Sequence, residues 1–590
     1  MRPEQIPYGV KDFKRIRLED FYYVDKTAFI RRLEARANFL FFVRPRRFGK
    51  SLLCETLRCY YDVAEKGNFD RLFGGLDIGK DPTANASRYF VLSLDFSYVN
   101  ASRGETWSAK FENYLNNALR NLIDGHRAEL SAVADVDELI ALPGAGDKFD
   151  VVVPLIKRLG YGLYVIVDEY DNFTNEIVST AGKAPYKEIT HGTGFYRGWF
   201  KKFKGTCDRI FMTGVSPVTM DDLTSGFNIA TNISMDPTFA ALTGFTQGDI
   251  REMLAYYRAN AGFAFDEEAV YETMCRWYDN YRFSPDTDAE GKEPPHVANP
   301  TLVLYYMQYF LRNHKPQRDL VDENLRTDYM KIRHIITEGR RVNGNFHRLE
   351  DIISRLGTTA TLRKSFQARE LGVSDNFVSF LFYNGLVTVT GEGLGRSRLG
   401  IPNLTVGEFM HDFVPRAYQD VHGVDPQIFD IANGMTDFAE TGDWHGALDT
   451  ASAVVSRYWK CRDAIEGERV VQTALCSLLY VGHGPYIVRH EPESGGGFVD
   501  IAFEPQLNRW PQIGHAALVE LKYLKKDADA SPEALAKLRA EASDQIARYA
   551  SDHDLARAWN LREGGGTVAL HRIVIVFHGG DIAICEEVKG

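Results

Sequence analysis

No apolar run in these 590 residues approaches the ~20 needed to cross a bilayer as a helix. The opening Met1-Arg2-Pro3-Glu4-Gln5-Ile6-Pro7 lacks the apolar core of a signal peptide. Cysteines are few, at Cys54, Cys59, Cys207, Cys275, Cys461, Cys476 and Cys585. They form no C-x-x-C pair and no zinc-ligand spacing, which excludes a disulfide scaffold and a zinc finger and fits a reducing compartment. A surplus of positive charge is also missing: the formal net charge is −11, so no global field draws in nucleic acid and any such contact must come from local patches. No internal repeat is apparent. These absences leave a cytoplasmic protein with no membrane partner and a length that suits three or four domains.

What is present begins near residue 50. An apolar strand, Phe39-Leu40-Phe41-Phe42-Val43, runs into Arg44-Pro45-Arg46-Arg47-Phe48-Gly49-Lys50-Ser51 and then into a helical stretch, Leu52 to Tyr61. A helix that starts in such a turn offers unpaired N–H groups and a positive dipole end to phosphates. Lys50 would reach the β- and γ-phosphates and the Ser51 hydroxyl would ligate Mg²⁺, so ATP or GTP is the expected ligand. The pattern departs from G-x-x-x-x-G-K-[ST], because Arg44 stands where the first glycine belongs. Arg44 lacks glycine's conformational freedom but brings charge, so the expected phosphate contacts are Arg44, Arg46, Arg47, Gly49, Lys50 and Ser51. The competing reading is a basic turn on an ordinary α/β protein.

A second strand pattern, Gly162 to Val167, ends in Asp168-Glu169-Tyr170-Asp171. An acid there lies beside a phosphate loop in a parallel sheet: Asp168 would hold Mg²⁺ through water and Glu169 would polarise the attacking water. A third strand, Arg209 to Val215, ends near Thr213, a candidate γ-phosphate sensor, although turn chemistry alone also accounts for a Thr-Gly strand end. Runs at Phe39 to Val43, Tyr89 to Leu94, Leu163 to Val167 and Ile210 to Thr213 alternate with amphipathic stretches, as in a doubly covered parallel sheet. From about 245 the pattern turns helical, and an acidic, proline-bearing loop follows at Ser284 to Pro295. Short helical pieces at Leu349 to Gly357, Gln367 to Leu371 and Asp375 to Tyr383, then a hairpin around Gly391 to Gly395, give a winged-helix-like order with no basic recognition helix.

The last 130 or so residues carry a second chemistry. In Ala516-Ala517-Leu518-Val519-Glu520-Leu521-Lys522, side chains two apart share a face, so Glu520 and Lys522 project together. Gly496 to Phe503 reads as another strand with Asp500 in its middle. If the two pair, Asp500 and Glu520 can share one Mg²⁺ or Mn²⁺ while Lys522 steadies a water nucleophile or the phosphate, the requirements of phosphodiester cleavage. The alternative is a solvent-facing Glu520–Lys522 ion pair. Helix Glu468 to Tyr480 before the strands and helix Glu541 to Ala550 after them add Glu468, Gln545 and Tyr549, the last two on one helix face and expected at the surface.

With both motifs in view, the chain resembles a bacterial AAA-ATPase-like family that carries a C-terminal PD-(D/E)XK nuclease-superfamily domain. The matching stretches are Ile6-Pro7-Tyr8-Gly9, Tyr23-Val24-Asp25-Lys26-Thr27, the Arg44 to Ser51 loop, Leu94-Asp95-Phe96-Ser97, Val167 to Asp171 and Thr213-Gly214-Val215-Ser216-Pro217. Further matches are Trp277-Tyr278-Asp279-Asn280-Tyr281-Arg282-Phe283, Asn299-Pro300 and Phe382-Tyr383-Asn384-Gly385-Leu386. The resemblance implies an α/β P-loop ATPase core over 1–240, a helical lid over 241–295, a helical and winged-helix-like region over 296–450, and a restriction-endonuclease-like α/β domain over 451–590. It places Asp500, Glu520 and Lys522 at the metal-site positions and Glu468 at the helical acid, with Val499 where proline is usual.

Two functions follow as expectations. One is an ATP-binding, metal-dependent DNA nuclease, acting in defence against foreign DNA. The other is a regulatory ATPase whose last domain only binds nucleic acid or a protein partner; a scaffold with both sites decayed is a third. AAA-type proteins often form rings completed by a neighbour's arginine, which makes a homo-oligomer an expectation and Arg46, Arg47, Arg197 and Arg209 the candidates.

Overall fold

The structure is a computed structural model; it describes residues 5–99, 106–172, 195–217, 230–288, 290–337, 345–366, 370–460, 468–480, 484–494 and 497–588. Cys461, residues 367–369 of the short helical piece and Gly495-Gly496 lie outside the described residues. The chain divides into two compact units, one of Met1–Lys315 with Thr359–Asn403, the other of Pro316–Thr358 with Leu404–Gly590.

The first unit is built on a parallel sheet of β1 (Phe39–Val43), β2 (Tyr89–Asp95), β3 (Gly162–Asp168), β4 (Arg209–Gly214) and β5 (Thr231–Asn232), in the order β2-β3-β4-β1-β5. β1 and β3, and most of β2 and β4, read as near-continuous apolar runs because helices cover both faces, whereas the edge strand β5 is a polar Thr-Asn pair. On one face Leu40, Phe42, Tyr164, Ile166 and Phe211 pack with Leu53, Leu57 and Tyr61 of the helix Lys50–Tyr61. β1 lies between β4 and β5, so the carboxyl ends of β1, β3 and β4 come to one edge, where ligands bind in open α/β sheets. The helix Pro300–Asn313 starts sharply because the Asn299 side chain accepts the N–H groups of Thr301 and Leu302 and Pro300 needs no N–H partner.

The second unit carries a five-stranded mixed sheet. Its strands run Asp581–Glu587, Ala569–His578, His515–Leu524, Ile501–Pro505 and Tyr486–His490 from edge to edge, with only His515–Leu524 and Ala569–His578 parallel. The helix Pro532–Ala550 makes the crossover between that parallel pair and seals one face with Ile546 and Tyr549 over Ala502, Ala516 and Leu518.

Two expectations change. The region 296–450 is no body of its own. The helix Ser374–Tyr383 joins the first unit through Phe382 beside Phe283, whereas the helix Ile428–Thr441 joins the second by packing Phe438 on Tyr486 and Phe503. The wing-like hairpin is there, Thr388–Gly393 with Arg396–Gly400, but every residue from Asn376 to Tyr383 in the preceding helix is buried. That helix has no polar face to lay on DNA. Asp500 also differs: the strand expected through it is broken, with Gly497–Phe498 in a short ribbon and the longer strand starting at Ile501. Among the described residues no helix is long and apolar enough to cross a membrane.

At the ends of β3 and β4 the packing is tight. A Cβ on Gly214 would meet Asp171 Oδ1 and would sit 2.5 Å from Tyr170 Cδ1. Gly214→Ala is therefore expected to destabilise the first unit by about 1–3 kcal/mol, read from urea unfolding; an unchanged midpoint would mean this edge repacks freely.

Candidate functional site

In the first unit the loop after β1 enters the helix Lys50–Tyr61 through Gly49, whose φ of 86° lies in the left-handed region; Arg47 is also left-handed at 67°. Lys50 is buried and donates from Nζ to the Pro45 carbonyl at 3.0 Å, so its ammonium lies inside the curl of the loop. The Ser51 hydroxyl is hydrogen-bonded to Asp168. Asp168 is pushed up to about 6, first by burial and then by Glu169, with Ser51, Lys50 and Asp95 as further influences. Asp95 is its register partner on β2. Glu169 leaves β3 with φ 52°, a costly conformation for a residue with a side chain, and lines the cavity over the loop. This cavity, about 370 Å³, is walled by Gly49, Lys50 and Ser51 at one end and by Tyr22, Tyr23 and Phe245 elsewhere. Its size falls within the roughly 300–1,000 Å³ of small-molecule sites.

Thr213 is fully buried and its Oγ1 has no hydrogen-bond partner among the described residues. Asp171, to which sequence reasoning assigned no role, accepts the N–H groups of Val215 and Ser216 and so ties the end of β3 to the end of β4. Burial and Glu169 push it up to about 6.

Arg44 is a correction. Its guanidinium is 2% exposed and is spent on the carbonyls of Val43, Ser234 and Phe239. It turns into the interior between the rings of Phe42 and Phe283, each 4.4 Å from the guanidinium carbon, and is not a phosphate contact. Arg46 acts on Asp171, and Arg47 lines the cavity. Arg209 starts β4 at the opposite edge of the sheet and donates to the Tyr89 hydroxyl, an arrangement suited to packing. Arg197 lies on the helix Phe195–Thr206 with its Nε buried.

In the second unit the expected pairing is present: Ile501 lies opposite Val519, which brings Asp500 beside Glu520 and Leu521. Asp500 Oδ2 accepts the Leu521 N–H at 2.7 Å, and Oδ1 accepts the Gln472 amide at 3.1 Å. Lys522 Nζ is 2.9 Å from Glu520 Oε1. This is no surface ion pair, because Glu520 is 2% exposed. Glu468 accepts the Tyr523 N–H at 3.1 Å, so the helical acid anchors the strand just past Lys522. Tyr549, expected at the surface, is buried; after burial itself, Glu520 is the largest influence raising its phenol. Gln472, from the same helix as Glu468, was missed; its position one turn after an acid carries no signal without knowledge of which face meets the strand.

Burial, then Glu520, pushes Asp500 up to about 7. Glu520 is also raised, chiefly by burial, which Lys522 offsets in part. Burial alone would lower the Lys522 ammonium, but Glu520 and Asp500 outweigh it and hold it above its ordinary range. Glu520 Oε2 is buried with no partner among the described residues, an acceptor suited to a divalent ion shared with Asp500. No three His, Cys, Asp or Glu side chains among the described residues are grouped to hold an ion, so Glu468 is not part of a ready ligand trio. Ser51 and Asp168 likewise stand as a pair.

Residues 7–224 match the family described as predicted AAA-ATPase. Residues 466–587 match the PD-(D/E)XK nuclease superfamily. The AAA-ATPase-like segment thus takes in the phosphate loop, Asp168, Glu169 and Thr213, and the nuclease-superfamily segment takes in Glu468, Asp500, Glu520 and Lys522. Over 315 residues the chain is 28% identical to an uncharacterized protein in the vnfD 5′ region of Azotobacter chroococcum, covering 52% of this chain and 52% of that one. The chain thus spans about half the length of that curated relative. Among solved structures, the ORC1 protein of Aeropyrum pernix in complex with DNA aligns with 68% of this chain and 97% of its own, at 13% identity and a TM-score of 0.25.

Because burial and Glu520 push the Asp500 carboxyl up to about 7, a divalent ion would compete with a proton there. Apparent Mn²⁺ affinity in calorimetry is expected to climb as pH rises through about 7 and then flatten, and to lose that slope in Asp500→Asn; a flat profile in the unaltered protein would contradict the assignment. The ion-free fold shifts the other way, losing this group's contribution as pH rises from about 4 through about 7, since the native carboxyl keeps its proton longer than the unfolded one.

Proposed function

We propose that this chain is a cytoplasmic, ATP-binding nuclease that cuts DNA with Mg²⁺ or Mn²⁺ and whose cutting is regulated by nucleotide. The observation that carries the reading is the group of half-buried Asp500, buried Glu520 and half-buried Lys522, with Lys522 Nζ 2.9 Å from Glu520 and Glu520 Oε2 left without a partner among the described residues. A phosphodiester resists water because the attacked phosphorus is shielded by negative oxygens, and a divalent ion supplies the Lewis acidity that withdraws this charge. Asp500 and Glu520 would hold that ion. Lys522 would orient the attacking water and balance the charge that builds on the phosphate oxygens. Gln472 and the Leu521 N–H keep Asp500 in place, and Glu468 fixes the backbone at Tyr523.

In the nucleotide half, Lys50 would leave the Pro45 carbonyl for the β- and γ-phosphates. Gly49 and the first turn of its helix would receive them with backbone N–H groups, Ser51 and Asp168 would hold Mg²⁺, and Glu169 would orient water. A role in defence against foreign DNA and assembly into a homo-oligomer belong to the same proposal. The absence of a ready three-ligand group among the described residues favours a second reading, a regulatory ATPase whose C-terminal domain binds nucleic acid or a protein without cutting.

Linear and circular DNA incubated with and without Mg²⁺ or Mn²⁺ and ATP separate the two. The nuclease reading expects ion-dependent cutting that falls by roughly 10²–10⁴-fold in Lys522→Ala and disappears in Asp500→Ala. It also expects a response to ATP that Lys50→Ala abolishes. Cutting that survives both C-terminal substitutions sinks it; ATP binding with no cutting under any condition supports the second reading.

A further inference from the structure

Three of the matching stretches, Trp277 to Phe283, Asn299-Pro300 and Phe382 to Leu386, have no part in the chemistry above, yet within the first unit they converge on the phosphate loop. Gly385, with φ +76°, packs on the loop at Pro45, where an added Cβ would lie 2.9 Å from Pro45 Cγ and 3.3 Å from Tyr281. Phe48 meets Tyr281 and Phe283 edge-on, with ring centroids 4.9 and 5.4 Å away. Thr301, in the first turn after Asn299-Pro300, donates its hydroxyl to the Arg47 carbonyl at 3.0 Å. Successive loop residues thus each lean on a distant segment.

Arg44 completes this wall from inside. Its backbone is not among the left-handed residues, so a glycine is not required there; the loop places that conformation at Arg47 and Gly49. Its Nη1 binds the carbonyls of Val43 at 3.0 Å and Ser234 at 2.6 Å, its Nη2 that of Phe239 at 3.3 Å, and its flat faces meet Phe42 and Phe283. Beyond Phe283, the Arg282 N–H donates to Thr388 Oγ1 at 2.7 Å and the Arg282 carbonyl accepts the Val389 N–H, so the wall continues into the hairpin Thr388–Gly400.

We propose that Arg44 and Gly385 are positioning residues for triphosphate: neither lines the cavity, but together with Phe283 they hold the loop in the curl that Lys50 and Gly49 need. Glycine is permissive, whereas a guanidinium locked onto three carbonyls and two rings is not, so the loop is kept in shape by distant packing and not by its own turn chemistry. This rests on the nucleotide reading given above.

The discriminating variant is Arg44→Gly, which restores the ordinary glycine of the motif. Motif logic expects it to bind ATP as well as or better than the natural loop. The wall expects ATP affinity to weaken by about tenfold or more, the scale of one lost charge-assisted hydrogen bond. Gly385→Ala is expected to act in the same direction from 341 residues further along the chain, and it serves if Arg44→Gly does not fold. Displacement of a fluorescent ATP analogue by tripolyphosphate and by adenosine gives a readout that simple loss of stability would not: tripolyphosphate competition should weaken while adenosine competition holds, and Arg44→Lys should recover part of the loss. ATP binding lost in Lys50→Ala but unchanged in Arg44→Gly or Gly385→Ala overturns the wall and leaves the nucleotide reading intact. ATP binding absent from the unaltered protein, or untouched by Lys50→Ala, overturns the nucleotide reading itself and the wall with it.

Discussion

A carboxylate taken out of water must be hydrogen-bonded, paired with a cation or kept protonated, and both units of this chain are organised around that requirement. In the first, Asp171 is answered by the amides of Val215 and Ser216, and Asp168 by Ser51 and Lys50. In the second, Asp500 is answered by Leu521 and Gln472, and Glu520 by Lys522. The answers differ in kind. Asp171 has its oxygens occupied by protein and acts as a brace. Glu520 keeps Oε2 without a partner among the described residues, so one of its lone-pair sites is left unused by the fold. Which acids build the fold and which are poised for chemistry is therefore decided by how completely their lone pairs are used.

Much of this was legible before any coordinates. The strands at Phe39, Tyr89, Gly162 and Arg209 are short runs rich in aromatic and β-branched residues that end in turn or acidic residues, and that shortness with those flanks is what separates a buried strand from a buried helix. Glu520 and Lys522 were placed on one face by the two-residue period alone, and that period is a property of the backbone. Arg44 was not legible. A basic residue in a phosphate loop looks like a phosphate contact, and only the rings of Phe42 and Phe283 with the carbonyls of Ser234 and Phe239 reveal its other role. Those partners come from up to 239 positions further along the chain, a separation at which local pattern carries no information.

The same limit explains Gln472, Tyr549 and the break at Asp500. Gln472 and Tyr549 matter because of which helix face meets the sheet, and a helix has several faces that composition alone does not rank. The strand break leaves Asp500 at the point where chain direction changes, which frees its side chain to accept a backbone N–H from the neighbouring strand. The apolar run from Phe498 to Phe503 hides that break, since Asp500 is its single polar residue and nothing in it marks a turn.

The nested path of the chain has a consequence for biosynthesis. The first unit takes Thr359–Asn403 back after the chain has already contributed Pro316–Thr358 to the second, so the polypeptide passes from one body to the other three times. A ribosome releases residues in order, and domains ordinarily fold as they emerge. Here the phosphate loop is synthesised long before Gly385, the residue it rests on, and the nascent first body must wait with its loop unsupported while a segment owed to the other body is made. Neither body corresponds to a contiguous stretch of gene, so cutting the reading frame at any single codon yields two incomplete pieces.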